Sequence, residues 1–224
     1  GFFDLFGMNK SKLPKEKFVQ CWQATSGNTA DGALAAEMTA TLEDKELIDS
    51  HMRRFLYRGA LEAMANSVEH AYIGQRKDSL NIDDKRWWGF VGQIENKLVL
   101  LVCDLGVGIP NTIFKDQGGS INKAKAVLNI LRNLMGTSQR GDAELIKAST
   151  LLKHTRTGYV YRGKGGVDFL QLIENNKNST LSIISNRGKY VVSSDKKRDE
   201  TINHTSSIYG TIVEWAIDVN SSDA

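Results

Sequence analysis

The sequence predicts an α+β fold: a two-layer sandwich in which helices lie on one face of a single mixed, mostly antiparallel sheet. Two observations support this prediction. The patterns along the chain follow the order helix, hairpin, helices, hairpin and strand, which is typical of such sandwiches. The run KLVLLVCD, residues 97–104, is almost wholly apolar, which indicates an interior strand buried on both faces.

The composition is that of an ordinary globular protein. The chain has 224 residues, enough for one domain with a proper core, and 41% of them are hydrophobic. The net charge of +3 does not indicate a nucleic-acid partner, and no apolar run approaches the roughly 20 residues of a membrane span. The two cysteines, Cys21 and Cys103, cannot build a disulfide framework, which fits a reducing compartment. We therefore expect a cytoplasmic location, and we expect no membrane partner.

Residues 1–43 are expected to form a helical arm before a main domain at 44–220. The segment opens with the aromatic stretch GFFDLFG, and LPKEKFVQCWQA has the character of a short helix after Pro14. The apolar opening either packs on its own domain or reaches a neighbouring subunit. Because the first residue is Gly rather than Met, the segment is alternatively the end of a longer upstream region.

The main domain opens with a helical pattern from Leu42 to Ile73, ending near Gly74. The next two apolar runs, RWWGFVGQI and KLVLLVCD, predict a hairpin that turns at Glu95-Asn96.

Two further helices are predicted to start near Ser120 and Asp142, since both residues are good helix caps. The remaining patterns predict a short amphipathic helix, a hairpin turning at Arg187-Gly188 and a last strand, in VDFLQLIEN, TLSIISNRGKYVV and SIYGTIVEWAID.

Glu62 and Asn66 lie four residues apart in LEAMANSVEHAY, a stretch whose apolar residues recur with helical spacing. Side chains at i and i+4 share one face of a helix. A carboxylate and a carboxamide one turn apart fit either a solvated helix surface or a proton acceptor beside a metal ligand.

Asp104 opens the motif DLGVGIP directly after the predicted buried strand. A carboxylate at that position is costly to bury unless hydrogen bonds satisfy it. Gly106 and Gly108 would let the backbone approach a flat or anionic ligand closely. The same spacing also occurs in ordinary strand-to-loop turns, so the motif alone does not decide between the two.

The segment RGKGG, residues 162–166, is glycine-rich and basic and precedes a predicted helix. Glycine amides at a helix N-terminus form an anion site, to which Arg162 and Lys164 add charge. A flexible basic loop is the alternative. The segment is not a P-loop, because no Ser or Thr follows Lys164.

Taken in order, these motifs resemble the GHKL ATPase superfamily of gyrase, heat-shock chaperones, histidine kinases and MutL. The resemblance extends from about Lys45 to Asp218: EAMANSVEHAY is similar to its N box, and DLGVGIP, GKGG and Gly210-Thr211 to its later boxes. The N box is also similar to that of the anti-sigma-factor serine kinases. The resemblance implies the Bergerat ATP-binding fold, with ATP and Mg²⁺ as cofactors.

The resemblance also implies a role for individual residues. Glu62 would polarise the attacking water, and Asn66 would ligate Mg²⁺. Asp104 would accept a hydrogen from the adenine amino group, with Thr211 supporting it. The full set of implied cofactor-binding residues is Asn66, Asp104, Gly106, Gly108, Ile109, Gly163, Lys164, Gly165, Gly166 and Thr211.

Residues 109–162 would then form an enlarged, mobile ATP lid. The function expected from the resemblance is slow Mg²⁺-dependent ATP hydrolysis, in which lid closure or dimerisation acts as a conformational switch. The alternatives are a serine or histidine protein kinase and a non-catalytic nucleotide-sensing module. Each reading implies ATP and a protein partner, or self-association.

Overall fold

The structure is a computed structural model, which describes residues 19–73, 85–113, 141–155, 165–195 and 199–218. Several sequence predictions fall outside these ranges. They are the start of the helix after Pro14, the helix end at Gly74, the helix beginning at Ser120, and the phosphate-binding positions Gly163 and Lys164.

A seven-stranded antiparallel sheet forms one layer of the molecule. Its order is β1-β2-β3-β7-β4-β5-β6, and every described pair of neighbouring strands is antiparallel. The strands are β1 (Val19–Gly27), β2 (Trp87–Ile94), β3 (Lys97–Asp104), β4 (Ser179–Ser185), β5 (Gly188–Ser193), β6 (Glu200–Asn203) and β7 (Thr211–Asp218).

Helices pack against this sheet, so the predicted α+β sandwich is confirmed. The described helices are α1 (Gly32–Asp44), α2 (Ser50–Asn66), α3 (Ile109–Thr112), α4 (Asp142–Thr155) and α5 (Gly165–Asn175). A π-helical turn, Ser67–Ala71, continues α2. Within the described ranges, no helix is both long enough and apolar enough to cross a bilayer.

The inner face of the sheet meets the helices in the main hydrophobic core. Met38 of α1 and Leu56 of α2 are fully buried there, together with Trp215 of β7. The Trp215 indole donates a hydrogen bond to the Phe169 carbonyl of α5 at 3.1 Å. Gly59 leaves space for this indole, because a Cβ at that position would lie 2.6 Å from a ring carbon.

The outer face of the sheet carries a second apolar cluster. Val99, Leu101 and Cys103 of β3 are buried in it, as is Ala216 of β7. Because alternate residues of β3 enter the two clusters, the prediction that KLVLLVCD is buried on both faces is confirmed.

The prediction of a helix over residues 19–24 is wrong, because these residues lie in β1. This strand pairs with β2 from Val19↔Ile94 to Gly27↔Trp87, and the pairing supplies long-range hydrogen bonds that the local sequence does not reveal. Residues 19–43 therefore belong to the same sheet and core as the later residues, and do not form a separate arm.

The single helix predicted from Leu42 to Ile73 is also wrong, since the structure divides this region between two helices. α1 ends at Asp44, and Asp49 begins α2 as an N-cap that accepts the Met52 N–H at 2.7 Å. α1 itself, capped by Asp31, was not predicted. An aspartate that accepts early amide hydrogens starts a new helix where apolar periodicity alone suggests continuity.

Helix α4 lies within the predicted lid, 109–162, but is tied to the sheet. Lys147 donates to Asp199 at 2.7 Å, and Tyr190 of β5 donates to the same carboxylate at 2.8 Å. Burial alone would raise the pKa of Asp199, but these hydrogen bonds outweigh it and lower the pKa below its ordinary value. This part of the predicted lid is therefore anchored to the sheet by hydrogen bonds, and residues 114–140 and 156–164 lie outside the described ranges.

Candidate functional site

A cavity opens between the inner face of the sheet, the end of α2 and helices α3 to α5. Its volume is about 120 Å³ when measured as space for the centres of water-sized atoms. A single buried water needs roughly 10–15 Å³ on that measure, so the cavity has room for an organic ligand. Its lining combines apolar side chains, among them Val102, Ile183 and Val213, with polar side chains.

Asp104 lines this cavity as the last residue of β3, and its surroundings form what we call the Asp104 end. The side chain is 93% buried, since only 7% of the residue is exposed. Its Oδ1 accepts the Gly106 N–H at 2.8 Å, and its Oδ2 accepts the Ser67 hydroxyl at 3.2 Å.

The π-helical turn after Asn66 brings Ser67 to Asp104. The Ser67 hydroxyl also contacts the Ala63 carbonyl at 2.9 Å, and Ser67 is almost fully buried. The turn packs directly on the loop after β3, where Val107 N–H donates to the Ala71 carbonyl at 2.7 Å. Gly106 is needed for this contact, because a Cβ would lie 2.3 Å from the Ala71 oxygen. Such π-turns are frequent at functional sites.

The turn between β4 and β5 holds the other side of the same loop. Asn186 donates its amide to the Val107 carbonyl at 2.9 Å, and the Ser185 hydroxyl accepts the Ile109 N–H at 2.9 Å. Between them, Gly108 adopts a φ of +83°, a left-handed conformation that glycine tolerates. The loop is thereby fixed in shape before any ligand arrives.

Thr211 completes this end of the cavity from β7, where it pairs with Asp104. Its hydroxyl lies 3.0 Å from the Ser185 hydroxyl, within hydrogen-bond distance. The preceding residue, Gly210, passes so close to β3 that a Cβ would lie 2.1 Å from the Asp104 carbonyl oxygen. Asp104 and Thr211 therefore sit on directly paired positions of two central strands.

Asn66 lines the same cavity at the last turn of α2, and its surroundings form what we call the Asn66 end. Its amide nitrogen donates to the Glu62 carboxylate at 2.9 Å and to the Glu62 carbonyl at 2.8 Å. The helical spacing thus brings the two side chains into contact, as the sequence predicted. With the nitrogen donating to Glu62, the Oδ1 atom is the part of Asn66 suited to a cation. Glu62 is not among the residues that line the cavity.

The donor atoms at this end fit Mg²⁺ only together with a ligand. No group of three or more His, Cys, Asp or Glu side chains in the described ranges could hold a metal ion by itself. Mg²⁺ commonly takes one or two protein oxygens and completes its shell with water and substrate phosphates. The Asn66 amide oxygen is a hard donor of that kind.

The sequence and the structure agree on part of the site. Among the predicted residues, the structure brings together Asn66, Asp104, Gly108, Ile109 and Thr211 as lining of one cavity. Gly106 supports the loop from behind, and Glu62 touches Asn66.

The glycine-rich segment RGKGG, residues 162–166, is only partly described. Gly165 and Gly166 begin helix α5, as expected for a loop that opens a helix. Gly163 and Lys164 lie outside the described ranges.

Several residues of the site were not predicted. Ser67 follows Asn66 in the chain, and no local pattern pairs it with Asp104, which lies 37 residues further along. Ser185 and Asn186 lie about 80 residues from the loop that they hold, so no local pattern reveals them. The unpredicted lining also includes Ser149 and Thr150 of α4 and Phe169 of α5.

Compared with models of known protein families and with curated proteins, the chain matches no family and no characterised relative.

Proposed function

We propose that this chain is an ATP-binding domain of the GHKL type that slowly hydrolyses ATP with Mg²⁺ and changes conformation as it does so. One observation carries the proposal: Asp104 and Asn66 line one cavity together with the apolar side chains of Val102, Ile183 and Val213. A purine nucleotide has the matching chemistry, since a base with a donor group lies at one end and anionic phosphates lie at the other.

The Asp104 end is suited to an adenine. Its carboxylate would accept a hydrogen from the exocyclic amino group, while Ser67 and Gly106 keep both oxygens oriented. The apolar side chains of Val102 and Val213 would contact the ring. Guanine carries a carbonyl at the position of the adenine amino group, which would face the Asp104 carboxylate without a hydrogen to donate.

The Asn66 end is suited to the phosphates. Asn66 would hold Mg²⁺ through Oδ1, and the ion would neutralise the charge of the phosphate oxygens. Glu62 would accept a proton from the attacking water. It would either rotate away from its present contact with Asn66 or act from the edge of the cavity.

Calorimetric titration with AMP-PNP and Mg²⁺ tests the binding site. We expect Asp104→Asn to weaken binding by about 10–100-fold, the effect of 1.5–3 kcal/mol for a hydrogen bond to a charged group. In the Asp104→Asn variant, the side-chain NH2 group would also face another donor, either the Ser67 hydroxyl or the Gly106 N–H, instead of an acceptor. Asp195→Asn, at an exposed residue outside the cavity lining, is the matched control. Equal affinity in wild type and Asp104→Asn would contradict the proposal.

A nucleotide-sensing module without turnover is the second candidate. The observation that favours it is that Glu62 does not line the cavity, whereas Asn66 does. This candidate predicts tight AMP-PNP binding but no release of phosphate above that of a Glu62→Ala variant. Transfer of labelled γ-phosphate to a protein would instead indicate a kinase.

A further inference from the structure

The Tyr72 side chain joins two segments of backbone at the point where β3 ends. Its hydroxyl donates a hydrogen bond to the Arg86 carbonyl and accepts the Leu105 N–H at 3.3 Å. Tyr72 comes directly after the π-helical turn and is partly buried. Because it is not among the residues that line the cavity, any effect on a ligand must be transmitted through the residues that it holds.

The strand register explains why a hydroxyl fits between Arg86 and Leu105. β2 and β3 are antiparallel, and their pairing begins with Trp87↔Asp104. The next residues in the same register are therefore Arg86 and Leu105, which lie just outside the two strands. A hydroxyl can donate and accept at the same time, so the Tyr72 side chain satisfies one backbone group of each.

This bridge fixes the peptide group that follows Asp104. The Leu105 N–H and the Asp104 carbonyl belong to one planar peptide group. The N–H side is bound by Tyr72, and the carbonyl side lies against Gly210, where a Cβ would lie 2.1 Å from the oxygen. Held on both sides, the peptide sets the direction in which the chain continues to Gly106. The Gly106 N–H in turn donates to the Asp104 carboxylate at 2.8 Å.

The residue before Tyr72 holds the same loop on the other side of Gly106. The Ala71 carbonyl accepts the Val107 N–H at 2.7 Å. Two successive residues of one segment therefore bind the loop at two points, with the Gly106 amide between them. Loss of the Tyr72 hydroxyl would remove the point that is nearer to Asp104.

We propose that Tyr72 is a positioning residue for nucleotide recognition, whose hydroxyl holds the Leu105 peptide and thereby directs the Asp104 carboxylate at the base. This inference rests on the proposed function, because it concerns the Asp104 end of the same site. In Tyr72→Phe the ring remains, but the Arg86 carbonyl and the Leu105 N–H lose their shared partner and turn to water. The peptide can then rotate, and the carboxylate loses its fixed direction.

Hydrogen exchange tests the bridge without any nucleotide. Tyr72→Phe should speed exchange of the Leu105 amide, measured by NMR, by at least about fivefold, because its acceptor is gone. The Val107 amide, which donates to the Ala71 carbonyl, should stay within about twofold of its wild-type rate. An unchanged rate at Leu105 would overturn the inference, since the hydroxyl would then not hold this peptide.

Calorimetric titration tests the consequence for recognition. Tyr72→Phe should weaken the binding of AMP-PNP with Mg²⁺ by about 3–10-fold, the effect of one lost hydrogen bond. The matched control is Tyr57→Phe, at a partly buried tyrosine of α2 that does not line the cavity. This control should bind as wild type does. A cooperative thermal transition shows that each variant is folded.

A double-mutant cycle separates positioning from a merely structural role. If Tyr72 acts through the Asp104 carboxylate, Tyr72→Phe should change the affinity by less than about twofold once Asp104 is replaced by Asn. A general loosening of the domain would weaken binding by the same factor in both backgrounds. Equal factors would therefore overturn the inference.

The outcomes distinguish this inference from the proposed function. Failure of the wild-type protein to bind AMP-PNP overturns both. If the wild type binds and Asp104→Asn weakens binding, but Tyr72→Phe behaves like Tyr57→Phe, only the role of Tyr72 is overturned.

Discussion

The two ends of the cavity are built in different ways. At the Asp104 end, the side chains come from β3, β7 and the loop after β3, and are held by Ser67, Ser185 and Asn186. At the Asn66 end, Glu62 and Asn66 come from a single helix and hold each other. One end depends on contacts between distant segments, and the other on helical spacing.

The comparison indicates that the Asp104 end is preorganised. At the Asp104 end the loop backbone and the carboxylate are oriented by hydrogen bonds before a ligand binds, which lowers the ordering cost of recognition. At the Asn66 end the pair can reorganise without disturbing the sheet. We therefore expect substitutions at the Asp104 end to change stability and affinity together, and substitutions at Glu62 to change turnover alone.

The largest effect is expected at Glu62. On the proposed function, Glu62→Gln removes the group that accepts a proton from the attacking water, so kcat for ATP should fall by roughly 10²–10⁴-fold. The affinity for AMP-PNP should stay within a few-fold of wild type, because Asn66 keeps its place. Phosphate-release assays and calorimetry on the same preparations measure both quantities.

Glu69→Gln is the matched control for Glu62. Glu69 lies in the π-turn that follows α2, and its side chain is 68% exposed. Its substitution should leave kcat unchanged. Equal kcat values for the two variants would exclude Glu62 from catalysis. Only the absence of phosphate release from wild type and both variants would favour the nucleotide-sensing module.

Gly106→Ala should damage the Asp104 end through its backbone. The new Cβ would lie 2.3 Å from the Ala71 oxygen, so the loop and the π-turn must separate. We expect the free energy of unfolding to fall by about 1–3 kcal/mol, the usual cost of overpacking, and AMP-PNP affinity to fall with it. Urea titration measures the first quantity.

The control for this change is Gly32→Ala in the first turn of α1. Its Cβ would meet only the Tyr57 hydroxyl, at 3.1 Å, which is the far end of a flexible side chain. Alanine also favours a helix, so stability should change little. A loss as large as that of Gly106→Ala would show that the effect is not specific to the loop.

Ser185→Ala should affect the Asp104 end and leave the Asn66 end unchanged. It removes the acceptor of the Ile109 N–H and the contact with Thr211, at an expected cost of about 1–2 kcal/mol in stability. AMP-PNP affinity should fall by several-fold, while kcat at saturating ATP should remain near wild type. A fall in kcat without a change in affinity would contradict the assignment of Ser185 to the Asp104 end.

Ser194→Ala provides the comparison. Ser194 makes similar bonds to the backbone of Ser179, but it does not line the cavity. We expect a comparable loss of stability with unchanged affinity for AMP-PNP.

The smallest effect is expected at Asp199, which ties α4, one wall of the cavity, to the sheet. The pKa of Asp199 is lowered in the folded state, so its contribution to stability is present above the ordinary carboxyl pKa of 3.8 and is lost as the pH falls below it. Asp199→Asn should lower Tm by roughly 2–4 °C at pH 7, the shift that about 1 kcal/mol produces in a chain of this size. Thermal scans at pH 7 and near pH 3 should show the difference shrinking. A difference that is equal at both pH values would rule out an ionic origin.

The sequence by itself determined the features that depend on neighbours in the chain. The hairpin of β2 and β3 turns at Glu95-Asn96 as predicted, because alternation and turn residues are local signals. The contact between Glu62 and Asn66 follows from helical geometry alone. The double burial of β3 was also evident from its unbroken apolar run.

Only the tertiary structure decided the features that join distant segments. β1 is a strand because β2 offers it a partner, although its own residues suggested a helix. Ser67 reaches Asp104 across 37 positions of the chain, and Ser185 reaches Ile109 across 76 positions. The physical reason is that a hydrogen bond between remote residues depends on where the sheet brings the backbone, and no local periodicity encodes that position.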